Sequence, residues 1–192
     1  MGIPLSQSEP LLRITAAQME VMTDRGAFAG LGQIELRDGV LCEMNAQHRP
    51  HLLAKLALYD ALRDALRAMG SPLSIASEGS VLIGEREVPI PDVFIWSLQR
   101  GRGPVPAETV RLVAEVSETT LADDLGRKRL VYAAGGIAEY WVIDLEGQVV
   151  WQFWSPGPQG YRQEAEAPFG TIIGAKTLPG LTFDTAALLD PA

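Results

Sequence analysis

The pattern of apolar and polar residues at the start of the chain predicts a helix followed by a β-hairpin. Thr15 and Gln18 have the spacing of a capping box, which predicts a helix from about Thr15 to Arg25. Two short apolar runs, 33–36 and 40–44, follow it and flank Asp38-Gly39. Asp-Gly suits the positive φ angles of a tight turn, so these runs are predicted to pair as a hairpin.

A long helix is predicted next, from about Pro50 to Met69, and Gly70 ends it. Its expected buried stripe consists of Leu52, Leu56, Tyr59, Leu62 and Leu66. The residues beyond it are rich in β-branched and aromatic types, which favours strands. Strands are predicted over 80–83, 88–96 and 110–117, with a Gly/Pro loop over 101–106.

Helical and strand patterns alternate again in the C-terminal half. A second main helix is predicted from Leu121 to Ala134, with Gly135-Gly136 at its cap. The remaining patterns predict a hairpin of 139–145 and 149–154, an edge strand over 160–165 and a short closing helix over 183–189. This interleaving predicts one α/β domain over residues 1–192, a mixed sheet flanked by helices with added N-terminal and C-terminal hairpins.

Composition narrows the class of protein. The 192 residues, 47% hydrophobic and 21% charged, are typical of a soluble globular domain with a core of its own. Cys42 is the only cysteine, which excludes an intramolecular disulfide and a cysteine-rich zinc site. Residues 1–10 lack the pattern of a secretory signal, and no run of about 18 apolar residues occurs. We therefore expect a cytoplasmic protein without a membrane span.

Two acidic residues stand in segments that are otherwise apolar. Asp92 lies within the run 88–96, and Glu115 shares a strand face with Val113. A buried carboxylate is costly unless it is paired, hydrogen-bonded or bound to a cation. Two such groups on neighbouring strands would form the oxygen-rich site that Mg²⁺ or Mn²⁺ requires. The alternative is that each carboxylate caps a strand end or pairs with an arginine.

A lysine lies on the apolar stripe of the second main helix. Leu121, Leu125, Lys128 and Tyr132 follow helical spacing, so Lys128 is expected to face the core. Lysine is rarely buried without a partner. The open alternatives to a catalytic role are a side chain that extends to solvent and an ion pair with Asp124, four residues earlier.

The charge balance argues against a nucleic-acid ligand. The formal net charge is −8, from 16 Lys and Arg against 24 Asp and Glu. Neutralising phosphates supplies much of the affinity for nucleic acid, so such proteins usually carry an excess of basic residues. Arg100, Arg102 and the run 127–129 could form a local basic groove. A solvated helix face is an equally good interpretation of that run.

The ordered set of these motifs resembles a known nuclease superfamily. Pro91-Asp92, Glu115-Val116-Ser117 and Asp124 with Lys128 resemble the PD-(D/E)xK phosphodiesterases. The segment 115–145, which contains Glu139-Tyr140-Trp141, is similar to the Uma-type restriction endonucleases of bacteria, as is the segment 34–44. The resemblance covers about residues 14–154, which leaves 155–192 as a C-terminal extension.

This resemblance implies a restriction-endonuclease-like fold and a set of site residues. Asp92 and Glu115 would bind Mg²⁺ or Mn²⁺ together with the carbonyl of Val116, and Glu35 would support the metal site from the first hairpin. Ser117 replaces the usual lysine of the motif. The resemblance therefore assigns that role to Lys128, which would position water or stabilise the phosphate.

Supporting roles follow for the neighbouring residues. Asp124 and Tyr132 would support the site, and Glu139-Tyr140-Trp141 would serve packing. His51 and Lys55 share a helix face that could approach a phosphate backbone, although a surface or hydrogen-bonded histidine is the favoured interpretation. The four tryptophans, 96, 141, 151 and 154, fall in strands and are expected in the core or a dimer surface.

The function implied is a metal-dependent endonuclease that hydrolyses DNA. A homodimer is expected, because cutting two strands favours paired sites and two-fold symmetry is the commonest arrangement. One alternative is a nuclease fold that acts only as a binding or assembly module, which the negative charge favours. Another is a phosphodiesterase of RNA or of DNA repair, since a fold does not fix the substrate.

Overall fold

A six-stranded mixed sheet forms the centre of the protein, in a computed structural model that describes residues 12–44, 47–97 and 100–189. The helices are α1 (Ala16–Asp24), α2 (Arg49–Ala68), α3 (Leu121–Asp123) and α4 (Arg129–Ala134), with a π-helical turn at Asp124–Lys128 and 3₁₀ turns at Ala107–Thr109 and Thr185–Leu188. The strands are β1 (Ile34–Arg37), β2 (Val40–Glu43), β3 (Ser74–Ser77), β4 (Val81–Leu82), β5 (Val93–Trp96), β6 (Val105–Pro106), β7 (Val110–Ser117), β8 (Glu139–Asp144), β9 (Val149–Gly157), β10 (Gly160–Pro168), β11 (Ile172–Gly174) and β12 (Thr182–Asp184).

The strand order of the central sheet is β10-β9-β8-β7-β5-β3. Strands β7 and β8 are parallel, and their connection passes through α3, the π-helical turn and α4. The other neighbours in this sheet are antiparallel. Hairpins β1–β2 and β11–β12 form separate two-stranded sheets near the two ends of the chain. The predicted α/β architecture, a mixed sheet flanked by helices, is confirmed, as is the first hairpin. The hairpin predicted over 139–154 is β8 and β9 of the central sheet, whereas β11–β12 was not predicted.

Each face of the sheet carries its own hydrophobic core. Helix α2 packs on one face, where its buried leucines meet alternate residues of β5, β7 and β8 and the C-terminal hairpin. The segment from α3 to α4 covers the other face, where Tyr132 and Ile137 pack with Val113, Tyr140 and Phe153. Strands β7 and β8 lie between these layers, which explains why almost every residue in them is buried.

Several local predictions are confirmed. Thr15 and Gln18 form the reciprocal hydrogen bonds of a capping box at the start of α1. Asp38 and Gly39 both have positive φ, 45° and 77°, as the tight turn of the first hairpin requires. After α4 the left-handed position is Gly136, with φ 72°.

The strand predicted over 88–96 is much shorter, because β5 begins only at Val93. Pro89 and Pro91 lack the N–H that a central strand would need, and Val88 makes only an isolated bridge with Leu36. Asp92 therefore immediately precedes a strand instead of lying in the middle of one. This position at a strand end is still buried, with Asp92 4% exposed.

The predicted buried stripe of α2 is wrong in its first half. Leu52 and Leu56 are 44% and 48% exposed, whereas Ala54, Lys55 and Leu58 are buried. The inward side of these turns instead carries His51 and Lys55, which contact Asp92 and Glu78, beside Ala54 and Leu58 of the core. Leu62 and Leu66 are buried as predicted.

Three further elements differ from prediction. Strand β3 at the sheet edge has the polar sequence Ser-Ile-Ala-Ser and gave no strand signal. The strand predicted over 80–83 is reduced to β4, which pairs with β6 inside the predicted Gly/Pro loop. Instead of a closing helix over 183–189, the chain forms β12 and a 3₁₀ turn.

Candidate functional site

A cleft of about 480 Å³ opens at the C-terminal end of β7. Its walls come from the first hairpin, the start of α2 and the loop from β7 into α3. The lining residues are Arg37, Cys42, Glu43, Met44, Gln47, His48, His51, Asp92, Glu115, Val116, Glu118, Thr119, Thr120, Ala122, Asp123 and Lys128. Asp92, Glu115, Val116 and Lys128, which the sequence singles out, therefore line one cleft.

Strand pairing places Asp92 opposite Glu115. Val93 pairs with Ala114 in the antiparallel register of β5 and β7, and the next residue pair in that register is Asp92 with Glu115. Residues directly opposite in an antiparallel pair project their side chains to the same face. The backbone N–H of Asp92 also donates to Oε2 of Glu115, at 3.3 Å.

Three donors hold the Asp92 carboxylate. Oδ2 accepts from the backbone N–H of Val116 at 2.8 Å and contacts Nε2 of His51 at 3.1 Å. Oδ1 accepts from the Gln47 amide at 3.2 Å. Burial opposes ionisation of this group, but the hydrogen bond and charge of His51 and the Val116 N–H leave the pKa of Asp92 below its ordinary value. Asp92 is thus an ionised carboxylate at the base of the cleft.

Glu115 is more deeply buried, and its pKa shifts the opposite way. Tyr132 donates its phenol O–H to Oε1 at 2.6 Å, and the Lys128 ammonium lies 3.1 Å from the same oxygen. Burial raises the pKa of Glu115 to about 8, although Lys128 acts to lower it. The negative charges of Asp92 and Asp124 add to the rise. Additional positive charge in the cleft would favour ionised Glu115.

Lys128 reaches the site from the π-helical turn. Its Nζ lies 3.1 Å from Glu115 and 3.0 Å from Oδ1 of Asp124, and its side chain is 9% exposed. Burial acts to lower the pKa of Lys128, but these two carboxylates raise it above its ordinary value, so the ammonium stays charged. The ion pair with Asp124 and the contact with Glu115 occur together.

The π-helical turn is fastened on both sides. Tyr140 of β8 donates its O–H to the backbone carbonyl of Asp124 at 3.1 Å, and Thr120 donates to the Asp124 carboxylate at 2.6 Å. Such turns carry i→i+5 hydrogen bonds and are frequent at functional sites. Here the turn directs Asp124 and Lys128 inward. Tyr140, predicted to serve packing alone, also holds this turn.

Glu35 lies behind the cleft and does not line it. Its carboxylate is fully buried and accepts from the backbone N–H of Ile90 at 2.8 Å. The other oxygen accepts from Nε and Nη2 of Arg37, both at 2.7 Å. Glu35 therefore connects the first hairpin to the segment that precedes Asp92, and its support for a metal site stays a prediction.

Sequence reasoning missed two polar residues of the cleft, Gln47 and Arg37, and it did not identify the partner of His51. Gln47 contacts Asp92, and its own carbonyl oxygen accepts from Lys55, which also pairs with Glu78. His51 is hydrogen-bonded, as favoured, but its partner is Asp92. Arg37 alternates with Glu35 on β1, a spacing that places both side chains on one face. That spacing was the available signal for Arg37, while Gln47 had none.

The predicted basic run does not form a free positive patch. Lys128 is buried, Arg127 pairs with Asp123 and Glu87, and Arg129 pairs with Glu164. The described lining of the cleft is acidic on balance. It holds Arg37 and Lys128 against Glu43, Asp92, Glu115, Glu118 and Asp123.

Asp92 and Glu115 are the buried carboxylates of the cleft whose oxygens suit a hard divalent cation. An ionised carboxylate has about four lone-pair directions, and three are used on Asp92 and three on Glu115. Each group therefore retains about one direction for a ligand. Within residues 12–44, 47–97 and 100–189, no three or more His, Cys, Asp and Glu side chains are grouped to hold a metal. Oxygen ligands in small number suit Mg²⁺, which keeps several waters.

Comparison with known proteins agrees with this fold. A family model described as "Uma2: Putative restriction endonuclease" matches residues 19–187. A similar solved structure is that of "a putative nuclease belonging to DUF820" from Anabaena variabilis, with a TM-score of 0.66 and 12% identity. The match covers 91% of this chain and 97% of that chain. No curated protein matches the chain.

The fold class of the protein is therefore restriction-endonuclease-like α/β, with a cleft at the end of its parallel strand pair. Since the family model spans most of the sequence, the chain belongs to the Uma2 restriction endonuclease family. The resemblance drawn from the motifs is confirmed. Among the described residues, no helix is both long enough and apolar enough to span a membrane.

Proposed function

We propose that this protein is a divalent-metal-dependent endonuclease that hydrolyses phosphodiester bonds of DNA. The observation that carries the proposal is that Asp92, just before β5, lies opposite Glu115 of β7 in one cleft, with the Lys128 ammonium 3.1 Å from Glu115. Membership of a restriction endonuclease family supports the same reaction class.

The proposed site divides the chemistry among these residues. Asp92 and Glu115, with the carbonyl of Val116, would hold Mg²⁺ or Mn²⁺, which lowers the pKa of bound water and neutralises charge on a phosphate. Lys128 supplies a fixed positive charge beside Glu115 for the phosphoryl oxygens. His51 and the Val116 N–H orient Asp92.

Glu115 has its own set of supports. Tyr132 and Lys128 fix its carboxylate from the helix side, and Asp124 in turn holds Lys128. Glu35 supports the arrangement from behind through Ile90 and Arg37. Pre-organised charges of this kind need no rearrangement during the reaction, which is the main source of electrostatic catalysis. We further propose a cytoplasmic homodimer, because two-fold symmetry would present one site to each DNA strand.

The test is incubation of supercoiled plasmid with the protein and Mg²⁺ or Mn²⁺, with single- and double-stranded RNA as parallel substrates. The wild type is expected to nick or linearise the plasmid, and Asp92→Ala is expected to lose this activity. Glu166→Gln, which changes an exposed carboxylate on β10, serves as the matched control. Cleavage of RNA alone would overturn the DNA assignment, and full activity of Asp92→Ala would overturn the site.

A second candidate function is a binding or assembly module without catalysis. The acidic lining of the cleft favours it, because phosphates are repelled from such a surface unless a cation is bound. Calorimetric titration of the wild type and Asp92→Ala with Mn²⁺ separates the candidates. Metal binding that requires Asp92 supports the nuclease, and absence of binding by the wild type supports the module.

A further inference from the structure

One partly exposed positive charge lines the cleft from the first hairpin. Arg37 and Lys128 are the two cationic Lys or Arg side chains in the described lining, and their side chains are 34% and 9% exposed. Lys128 is already enclosed by Glu115 and Asp124. Arg37 is therefore the more accessible of the two cations to an incoming anion.

Arg37 has unused hydrogen-bond donors. A guanidinium carries five N–H groups in a planar fork. Nε and Nη2 each direct one N–H toward Oε2 of Glu35, at 2.7 Å, and Nη1 lies 3.5 Å from the Asp123 carboxylate. Even with a bond to Asp123, about two N–H groups remain for another acceptor. A phosphate oxygen pair fits such a fork better than it fits a lysine.

Glu35 fixes the orientation of this fork. Its carboxylate is fully buried and tied to the Ile90 N–H, so the guanidinium is held at a set position beside the cleft. A side chain fixed before binding loses little conformational entropy when a ligand arrives.

We propose that Arg37 is a phosphate-binding residue, which contacts the nucleic-acid backbone beside the metal-binding carboxylates. This inference rests on the proposed function and assigns a substrate contact within it. Asp123 acts against this contact, because its carboxylate approaches Nη1 from the same cleft and repels a phosphate. Removal of Arg37 or of Asp123 should therefore change binding in opposite directions.

The experiment measures binding of a fluorescein-labelled DNA duplex by anisotropy, in Ca²⁺ and over a series of salt concentrations. Arg37→Gln is expected to weaken binding about tenfold and to reduce the salt slope by about 1, the effect of one lost phosphate contact. Arg63→Gln is the matched control. Arg63 is 33% exposed and also paired with carboxylates, but it lies on α2 outside the cleft lining.

A second pair of variants guards against misfolding. Asp123→Asn is expected to tighten binding roughly threefold, which a damaged fold would not do. Glu118→Gln removes the same charge from the cleft lining without a contact to Arg37. Both substitutions are then combined with Arg37→Gln. The gain in DNA affinity from Asp123→Asn should shrink there, because Asp123 contacts Arg37, while the gain from Glu118→Gln should persist.

The outcomes separate the two levels of the proposal. If the wild type binds DNA and Arg37→Gln keeps its affinity and salt slope, the Arg37 contact is wrong and the nuclease proposal stands. If the wild type binds no nucleic acid in Ca²⁺, both are wrong. In active protein with Mg²⁺, a phosphate contact predicts that Arg37→Gln raises KM more than it lowers kcat.

Discussion

Two buried glutamates on neighbouring parallel strands have different surroundings. Glu115 lies on β7 and faces the layer of α4, where Tyr132 and Lys128 contact it. Glu139 lies on β8 and faces the opposite layer, beside Trp141 and the loop that leads to β12. Both carboxylates are almost completely removed from solvent, with 2% and 0% exposure.

The two carboxylates differ in how many of their acceptor positions are occupied by hydrogen bonds. Glu139 accepts four hydrogen bonds, from the indole of Trp141, the backbone N–H groups of Lys176 and Thr177 and the hydroxyl of Thr177. Glu115 has three partners, one of them a cation, and it lines a cleft. A carboxylate whose acceptor directions are all used is structural. One that retains a free direction toward a cleft can bind a ligand.

The largest expected effect concerns Glu115. Glu115→Gln keeps the shape of the side chain but removes the charge that would bind a cation. We expect plasmid cleavage to fall by about a hundred- to a thousandfold, the scale of losing one pre-organised electrostatic group. The free energy of unfolding should fall by about 1–2 kcal/mol, because the amide keeps one acceptor oxygen and the N–H of Asp92, at 3.3 Å, loses its partner, while Lys128 keeps Asp124.

Cleavage assays together with urea unfolding monitored by tryptophan fluorescence measure both quantities. If cleavage by Glu115→Gln falls only as far as the loss of folded protein explains, a chemical role of Glu115 is contradicted. It would make Glu115 a structural carboxylate like Glu139.

The converse change is Glu139→Gln. Its amide N–H groups would face N–H and O–H donors, so at least one buried donor group loses its acceptor. We expect a loss of about 2–3 kcal/mol in the free energy of unfolding, the cost of an unsatisfied group that had bonded to a charge. Specific activity of the folded fraction should be unchanged. A stable but inactive Glu139→Gln protein would show that the two glutamates do not divide as proposed.

Local signals predicted much of the fold. The capping box of α1, the Asp-Gly hairpin, the limits of β7 and the inward position of Lys128 each depend on residues that are close in sequence. These are the interactions that residue spacing encodes directly. The same spacing placed Glu115 on a strand face apart from Leu112, Ala114 and Val116, as the two core clusters confirm.

Contacts between distant segments could not be predicted in this way. His51 and Gln47 meet Asp92 across 41 and 45 residues, and the start of α2 faces these polar groups while Leu52 and Leu56 stay exposed. Strand β3 is polar and takes its structure from pairing with β5. In each case tertiary packing overrides local propensity. The sequence therefore predicts the carboxylates of the cleft but not the residues that orient them.

Stabilisation of the fold by Mn²⁺ also distinguishes Glu115 from Glu139, and the expected change in free energy is smaller. If Mn²⁺ binds the native site only, tenfold excess over Kd stabilises the fold by about 1.4 kcal/mol, which corresponds to roughly 3–5 °C in Tm for a chain of this length. The shift is expected in the wild type and in Glu139→Gln, and it should vanish in Glu115→Gln. Thermal unfolding with and without Mn²⁺ checks this, with EDTA reversing the shift. A shift that persists in Glu115→Gln would place the metal elsewhere.

The smallest expected effect is on two tyrosines of the same layer, each of which donates one hydrogen bond. Tyr132 donates to Glu115 at 2.6 Å, and Tyr161 donates to the carbonyl of Ile137 at 2.9 Å in the same layer. Each Phe substitution removes one hydrogen bond, buried at Tyr132 and partly buried at Tyr161, and should cost about 1 kcal/mol of unfolding free energy. Only Tyr132→Phe should also reduce cleavage, because it frees the Glu115 carboxylate to move. If both variants cleave like the wild type, the phenol of Tyr132 serves the fold alone, and the orientation of Glu115 depends on Lys128 and the backbone of Asp92.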